Sequence, residues 1–221
     1  MTTFPGSPRL LKAGIVLMDA GSGAVQRIII LQYNPNRLTR SLTAQSLGEG
    51  SSDRSMALRL KGPPVETYSL EAEIDAADQL EFPNQNQVVA ELGILPQLAT
   101  LESLVYPKSS TLISNNTLAS LGTLEIVPLE APLSVVVWGK YRVLPMRLTN
   151  FSVTEEAFDP KLNPLRATVT LGMRVLSVSD LGFDHRGGNL YMTYHQQLEQ
   201  IAQLSRNGTL SDLGITTGDL S

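Results

Sequence analysis

Three carboxylates in the C-terminal half form the first group of residues whose types and spacing could do chemistry. Glu155, Glu156 and Asp159 lie close together in the sequence. Paired carboxylates can act as acid and nucleophile in glycoside hydrolysis, and clustered carboxylate oxygens can bind a hard cation. No second pair of oxygen ligands follows at the spacing of a metal site. The pattern therefore favours a solvated loop or a salt-bridge patch at an interface over a catalytic or metal site.

The two histidines and the single tryptophan are the other candidates. His185 stands beside Asp184 in a glycine-rich stretch, which is typical of a solvated loop, and His195 falls in a predicted helix. Trp138 ends an apolar run and fits a core position, with a sugar-binding platform as the alternative. The chain has no G-x-G-x-x-G, P-loop, H-E-x-x-H, EF-hand or nucleophile-elbow pattern. We therefore predict a protein that is not an enzyme and that binds no cofactor or metal.

Charge and composition exclude further classes. The chain has 221 residues, a net charge of −4 and no cysteine, and its pI is about 5.2. Nucleic-acid binders usually carry a basic patch or an elevated pI, so we expect no nucleic-acid partner. No apolar run approaches the roughly 20 residues that span a bilayer, and the N-terminus lacks the layout of a signal peptide. We expect synthesis and assembly in the cytoplasm, without direct membrane insertion.

The elements that would position these residues are mostly strands. Residues 133–139 form a short apolar run, and the next run changes the parity of its apolar positions near 149–150. Because side chains alternate with a period of two, that change predicts a β-bulge. Residues 155–164, with two prolines, predict a loop, and residues 165–175 alternate as a third strand. We predict a mainly β fold with minor α content.

The rest of the chain fits the same class. Residues 10–18 and 25–33 predict a β-hairpin, and residues 37–44, 67–75 and 121–129 predict further strands. Helices are predicted over 96–105 and over 190–204, the second capped by Asn189, with loops over 108–120 and 182–188. The domain organisation that we predict is an N-terminal arm (1–9), one β domain (10–204) with a flexible insertion (46–64), and a C-terminal tail (205–221).

One long segment resembles the tube-like baseplate proteins of contractile injection systems, the LysM-type baseplate family of phage-tail-like particles. The resemblance rests on W-G, R-V-L-P, S-x-T-E-E, F-D-P, L-N-P, R-A and R-V-L motifs, at Trp138-Gly139, Arg142–Pro145, Ser152–Glu156, Phe158–Pro160, Leu162–Pro164, Arg166-Ala167 and Arg174–Leu176. Weaker matches lie at residues 32–40 and 93–107. The similarity covers most of residues 10–204, and the F-D-P segment is fairly specific.

This resemblance implies a tail-tube-like β-barrel or sandwich with one intermediate helix and a C-terminal helix. It implies a six-fold homohexameric ring at the baseplate that connects the inner tube protein to the spike or hub protein and to the wedge proteins. The particle would be assembled in the cytoplasm and then released or anchored to a membrane. Many members carry a LysM module after this domain, and residues 208–221 are too few for one, so contacts made by that module are not expected here.

Under this hypothesis the residues of interest are structural. Glu155, Glu156 and Asp159 would face a neighbouring subunit, with Arg166 or Arg174 as their partners, and residues 46–64 would reach the next ring. Two alternatives stay open at this point. The chain could be an inner-tube or cap-end protein of the same particle, or a carbohydrate-binding β-sandwich that uses Trp138.

Overall fold

A computed structural model describes residues 10–46, 59–120, 122, 131–205 and 208–220. Within these residues one antiparallel sheet contains seven strands in the order β2-β1-β5-β6-β7-β4-β3. The strands are β1 Gly14–Met18, β2 Val25–Ile30, β3 Leu38–Thr43, β4 Val65–Asp75, β5 Leu133–Val137, β6 Val143–Phe158 and β7 Pro164–Val175. The mainly β fold with minor α content is therefore confirmed, and so are the first hairpin and the strands predicted near 37–44 and 67–75.

The sheet curls around a core but does not close into a barrel. Side chains from β1 (Ile15), β4 (Leu70) and β5 (Val136) line one small cavity. Neighbouring strands lie about 4.8 Å apart, so a flat sheet would hold β1 and β4 roughly 19 Å from each other. Only a curled sheet brings them together. The edge strands β2 and β3 are not hydrogen-bonded to each other, so the barrel expectation is wrong and the sheet is open.

The inward side of β4 and β7 shows why these residues form strands. Alternate positions of β4 are buried from Glu66 to Ile74, and Ala167, Val169, Leu171 and Met173 of β7 are almost completely buried. The intervening positions carry mostly Thr, Glu and Arg. This alternation matches the two-residue period of a half-buried strand. The predicted amphipathic strands and their inward faces are confirmed.

The bulge expected in β6 is present. The register between β6 and β7 shifts between Leu148 and Asn150, so Thr149 is the extra residue. Gly172 of β7 lies opposite, and a Cβ atom there would stand 3.0 Å from the Cβ atom of Asn150. Glycine therefore lets the bulged strand approach its partner closely.

The described helices are α1 Ala77–Leu80, α2 Gln87–Leu92, α3 Leu95–Glu102, α4 Ser109–Ser120, α5 Val178–Leu181 and α6 Arg186–Gln203, followed by 3-10 turns at Leu210–Leu213 and Thr217–Leu220. Helix α3 buries Leu98 and Leu101 beside the start of β7, where the Ile94 amide donates to the Pro164 carbonyl over 2.9 Å. Helix α6 buries Tyr191 and Tyr194 near the start of β4.

Three sequence expectations about loops and helices are wrong. Residues 109–120 form helix α4 instead of a polar loop. Helix α6 begins at Arg186, with His185 as its N-cap in place of Asn189. Four described helices stand between β4 and β5, where one intermediate helix was expected.

Some expectations fall on other parts of the chain. The N-terminal arm (1–9), most of the predicted strand over 121–129, and residues 47–58 of the expected insertion lie outside the described residues. Ser46 and Leu60 form an isolated antiparallel bridge. The chain therefore leaves and re-enters the domain at adjacent points.

Candidate assembly surface

The long β6–β7 hairpin carries the residues that the sequence marks as an interface. Strand β5 pairs with β6 only from Val143 to Met146. From there to Phe158, β6 pairs with β7 on one side, and no strand of the described residues lies on the other. The backbone donors and acceptors along this second half of β6 form an open edge, and such an edge is a template for another chain.

Glu155 and Glu156 lie on this open strand, so the expectation that they belong to a loop is wrong. Glu155 pairs with Ala167 and Glu156 with Arg166 across the ladder. Both side chains are exposed, and within the described residues neither makes a hydrogen bond or an ion pair. Two neighbouring acids thus stand exposed at the border of the sheet, and the pKa of Arg166 is raised chiefly by Asp75 and more weakly by Glu156.

Asp159 serves the turn that joins β6 to β7. Its Oδ1 accepts from the amides of Lys161 and Asn163 at 2.7 and 2.8 Å, and its Oδ2 accepts from Asn163 Nδ2 at 2.8 Å. These bonds, with the Asn163 side chain contributing most, hold the pKa of Asp159 below its usual value. The carboxylate is ionised and engaged within its own turn.

The two arginines proposed as partners for these acids are engaged within the chain. Arg166 Nε lies 2.8 Å from Asp75 Oδ2, and an Arg174 Nη2 donates to Asp180 Oδ1 over 2.8 Å. Burial tends to raise the pKa of Asp180, but hydrogen bonds from Ser177 and Arg174 outweigh burial and lower it. Contacts between either arginine and a second subunit stay a prediction. An acid of the second subunit would have to share the guanidinium with Asp75 or Asp180.

Arg147 is a residue that the sequence reading missed. It lies opposite Arg174 in the β6–β7 ladder, it is exposed, and it makes no ion pair within the described residues. Like charges directly opposite each other are unfavourable. The Arg147 side chain, at the start of the open edge, is therefore available to a partner. In the sequence, only its position next to the predicted bulge could have indicated this role.

The two outer strands of the sheet provide the other open edges. A side chain links the end of β2 to the end of β4, beyond the residues of β4 that pair with β3: Gln32, just after β2, donates from Nε2 to the Asp75 carbonyl over 2.7 Å and accepts the Asp75 amide at Oε1 over 3.0 Å. The carboxamide thus replaces one rung of a ladder. Along the rest of β2 and β3 no such bridge occurs among the described residues.

A buried ionic cluster ties β3 to the C-terminal helix. Glu66 is only 4% exposed, Arg40 Nε contacts its Oε1 over 2.5 Å, and Tyr194 Oη lies 3.5 Å from the same oxygen. Tyr68 is buried next to Glu66 and Tyr194, and this burial raises the pKa of its hydroxyl group. A buried charge is tolerated when it is paired, and here the pairing joins strands β3 and β4 to helix α6.

The aromatic and histidine candidates are placed in structural roles. Trp138 packs against the core between β5 and β6 and is half-buried. His185 Nδ1 accepts the Gly187 amide at 3.0 Å and so caps α6. His195 stacks near Tyr191, with 6.2 Å between ring centroids, and contacts Glu199.

Two small cavities lie among the described residues. Each measures about 10 Å³, which is about the space that one water needs. Within the same residues, no three His, Asp or Glu side chains are placed to hold a metal ion. None of the described helices combines the length and apolar character needed to cross a membrane.

Comparisons with known proteins give a partial likeness. No protein-family model matches the chain, and no curated protein matches it. A chain in the tail of an empty gene transfer agent particle, obtained by helical refinement with C6 symmetry, is 13% identical with a TM-score of 0.29, and the match covers 74% of this chain and 90% of that one. A chain in the virion of the native gene transfer agent particle is 11% identical, with the same TM-score and coverage. At this score the two traces diverge widely, so the function of the present chain has to be argued from its own residues.

Proposed function

We propose that this chain is a structural subunit of a phage-tail-like contractile particle. In this proposal it forms a six-fold ring at the baseplate, between the inner tube and the spike or hub, with wedge proteins around it. The particle is assembled in the cytoplasm and is then released or anchored at a membrane. The motifs around Phe158, Asp159 and Pro160 supply the family resemblance, and the open sheet supplies a physical means of assembly.

The observation that carries the proposal is the number of unpaired edges in one sheet. Strand β2, strand β3, residues 71–75 of β4 and residues 147–158 of β6 each lack a strand partner on one side among the described residues. Solitary sheet proteins usually cover or shorten their edges, because an exposed edge pairs with other chains. A head-to-tail contact between two different edges closes into a ring when the rotation per subunit allows it.

Charge on the edge strands favours such a contact. Glu155 and Glu156 stand unpaired near one end of the β6 edge, while Arg37 precedes β3 and Arg27 lies on β2. Opposite charges on two edges steer subunits into one register, and like charges oppose the other register. The acids of one copy would thus face an edge of the next.

Charge reversal tests this surface. We expect Glu155→Lys with Glu156→Lys to fold like the parent, because both side chains are exposed, and to raise the concentration needed for ring formation at least tenfold. Asp78→Lys with Glu81→Lys is a control that makes the same change in charge, since these acids are also exposed but lie on and next to helix α1 and on no strand edge. Light scattering and electron microscopy of the purified chain measure the rings. Normal rings from the first variant, or equal loss in the control, would remove the β6 edge from the interface.

The inner-tube and cap-end alternatives use the same edges and differ in copy number. A baseplate ring occurs once per particle, whereas a tube protein repeats along the whole length. The ratio of this chain to the sheath in purified particles therefore decides between them. The carbohydrate-binding alternative is weakened, because Trp138 is partly buried against the core.

A further inference from the structure

Three elements of the fold meet at the side chain of Glu66. This carboxylate lies at the start of β4 and is only 4% exposed. Strand β3 contributes Arg40, whose Nε lies 2.5 Å from Glu66 Oε1, and helix α6 contributes Tyr194, whose Oη donates to the same oxygen over 3.5 Å. One oxygen atom therefore contacts both an edge strand and the C-terminal helix.

Helix α6 depends on docking for its stability. It is 18 residues long and buries two large side chains, Tyr191 and Tyr194, and most of the stability of such a helix comes from packing of its apolar side. Burial raises the pKa of Tyr191, and the charge of Glu66 raises it further, so both tyrosines lie close to this carboxylate. Among the described residues, the bond from Tyr194 to Glu66 is the one side-chain hydrogen bond between α6 and a strand.

Strand β3 is held in the sheet on one side alone. It pairs with β4 from Leu38 to Thr43, and no other strand of the described residues pairs with it. Arg40 lies opposite Tyr68 in this ladder, and its guanidinium lies 6.0 Å from the centre of the Tyr68 ring. The Arg40 side chain is 30% exposed, so it reaches from the open edge to the buried carboxylate.

The burial of Glu66 makes the two contacts depend on each other. A buried charge that loses its partner is strongly destabilising, whereas an ion pair in water contributes little. If Arg40 is removed, the charge of Glu66 is stabilised only by water, and water reaches it when α6 leaves. If α6 leaves first, the pair with Arg40 becomes a hydrated surface pair and holds β3 only weakly.

We propose that Glu66 couples the edge strand β3 to helix α6, so that β3 is well ordered while α6 is docked and loosens when α6 undocks. Coupling between two sites is reciprocal, so a chain that pairs with the β3 edge in turn strengthens the docking of α6. The coupling is a property of the single chain. Its role in ring formation rests on the proposed function, because β3 is one of the open edges.

Hydrogen exchange on the monomeric chain tests the coupling in both directions. We expect Arg40→Met to make the amides of residues 191–198 in α6 exchange at least ten times faster. We expect Tyr194→Phe, which removes only the hydroxyl group, to make the amides of the β3–β4 ladder exchange at least three times faster. Each rate is divided by the rate for the β5–β6 ladder in the same variant, so that a general loss of stability cancels.

Two further variants separate the coupling from a general structural role. Arg166→Met also removes an arginine from an ion pair, but its partner Asp75 lies at the other end of β4 from Glu66, so α6 should exchange as in the parent. Arg40→Met combined with Glu66→Met leaves no buried charge, and replacing a buried ion pair by apolar side chains of similar volume is often neutral or stabilising. Protection of α6 should then return to within threefold of the parent.

The outcomes separate this inference from the proposed function. If Arg40→Met changes the exchange of α6 no more than Arg166→Met does, or if the double variant exchanges as fast as Arg40→Met, the coupling is wrong whatever the chain assembles into. Slower exchange of α6 in assembled rings than in the single chain supports its role in assembly, and equal rates overturn that role. A parent chain that stays monomeric by light scattering at every concentration, with and without the other particle proteins, overturns the proposed function and that role, while the coupling still stands or falls on the exchange of the monomer.

Discussion

The bridge between Gln32 and Asp75 gives the sharpest prediction about stability. A single carboxamide makes two hydrogen bonds to the backbone of Asp75, one as donor and one as acceptor. It is the link that joins the chain after β2 directly to the end of β4. Gln32→Ala removes both bonds and leaves an amide and a carbonyl without partners. Both groups are partly buried, so water replaces the lost bonds incompletely.

The expected loss follows from the bonds removed. An intramolecular hydrogen bond contributes about 0.5–1.5 kcal/mol net, and a buried group left without a partner costs about 1–3 kcal/mol. Because the Asp75 groups are only partly buried, we expect Gln32→Ala to lower the free energy of unfolding by about 2 kcal/mol. For a chain of this size that corresponds to a fall in Tm of roughly 4–8 °C.

Two measurements on the monomer check this prediction. Urea and thermal unfolding followed by circular dichroism give the loss of stability, and Gln26→Ala, on exposed strand β2, is a control of the same residue type. Hydrogen exchange reports on the site itself, because the Asp75 amide donates to Gln32. We expect that amide to exchange at least ten times faster in Gln32→Ala. Unchanged protection of Asp75, or equal losses in Gln32→Ala and Gln26→Ala, would refute the bridge as a stabilising contact.

Three further predictions follow from other contacts. Gly93 has φ +59°, and a Cβ atom there would stand 2.2 Å from the Pro164 carbonyl oxygen, so Gly93→Ala should lower the free energy of unfolding by more than about 2 kcal/mol. Gly139 has φ +75° but open space around it, so Gly139→Ala should lower it by only about 1–2 kcal/mol. Chemical denaturation measures both losses. The pKa of Asp75 is lowered, first by the Ala77 amide and then by Arg166. The stability that Asp75 contributes is therefore present above its unfolded pKa of about 3.9 and is lost as pH falls through the lower folded value. Asp75→Asn should flatten the acid limb of the curve of stability against pH by up to about 1 kcal/mol. Arg147→Thr removes the like charge opposite Arg174 and should raise monomer stability by a few tenths of a kcal/mol; a loss of stability would show that Arg147 has a partner in the monomer.

The strand pattern was predictable because burial on one face dictates it. The alternation in β4 and β7 and the parity change in β6 are visible in the sequence, and each appears in the structure at the expected residues. The end of β6 was not predictable in the same way. Residues 154–158 lack apolar alternation, and their strand conformation comes from pairing with β7, which no local signal contains.

The sequence-based predictions of the helices failed where local propensity opposes the observed structure. Helix α4 consists largely of Ser, Thr and Asn, which favour turns and caps, so its sequence indicated a loop. The start of α6 contains Gly187 and Gly188, which also indicated a loop. At Gly188 a Cβ atom would stand 1.9 Å from the Gly182 carbonyl oxygen. The close packing of α5 on α6 therefore requires glycine despite its low helix propensity.

The open seam between β2 and β3 links the fold to the proposed assembly. These strands follow each other in sequence, and a ladder between them would join the two outer strands of the sheet. Gln32, just after β2, binds the backbone of Asp75 at the end of β4, and Arg40 of β3 pairs with Glu66 of β4. Both contacts therefore engage β4, and among the described residues no ladder joins β2 to β3. A chain that keeps such edges open gains a way to pair with its own copies.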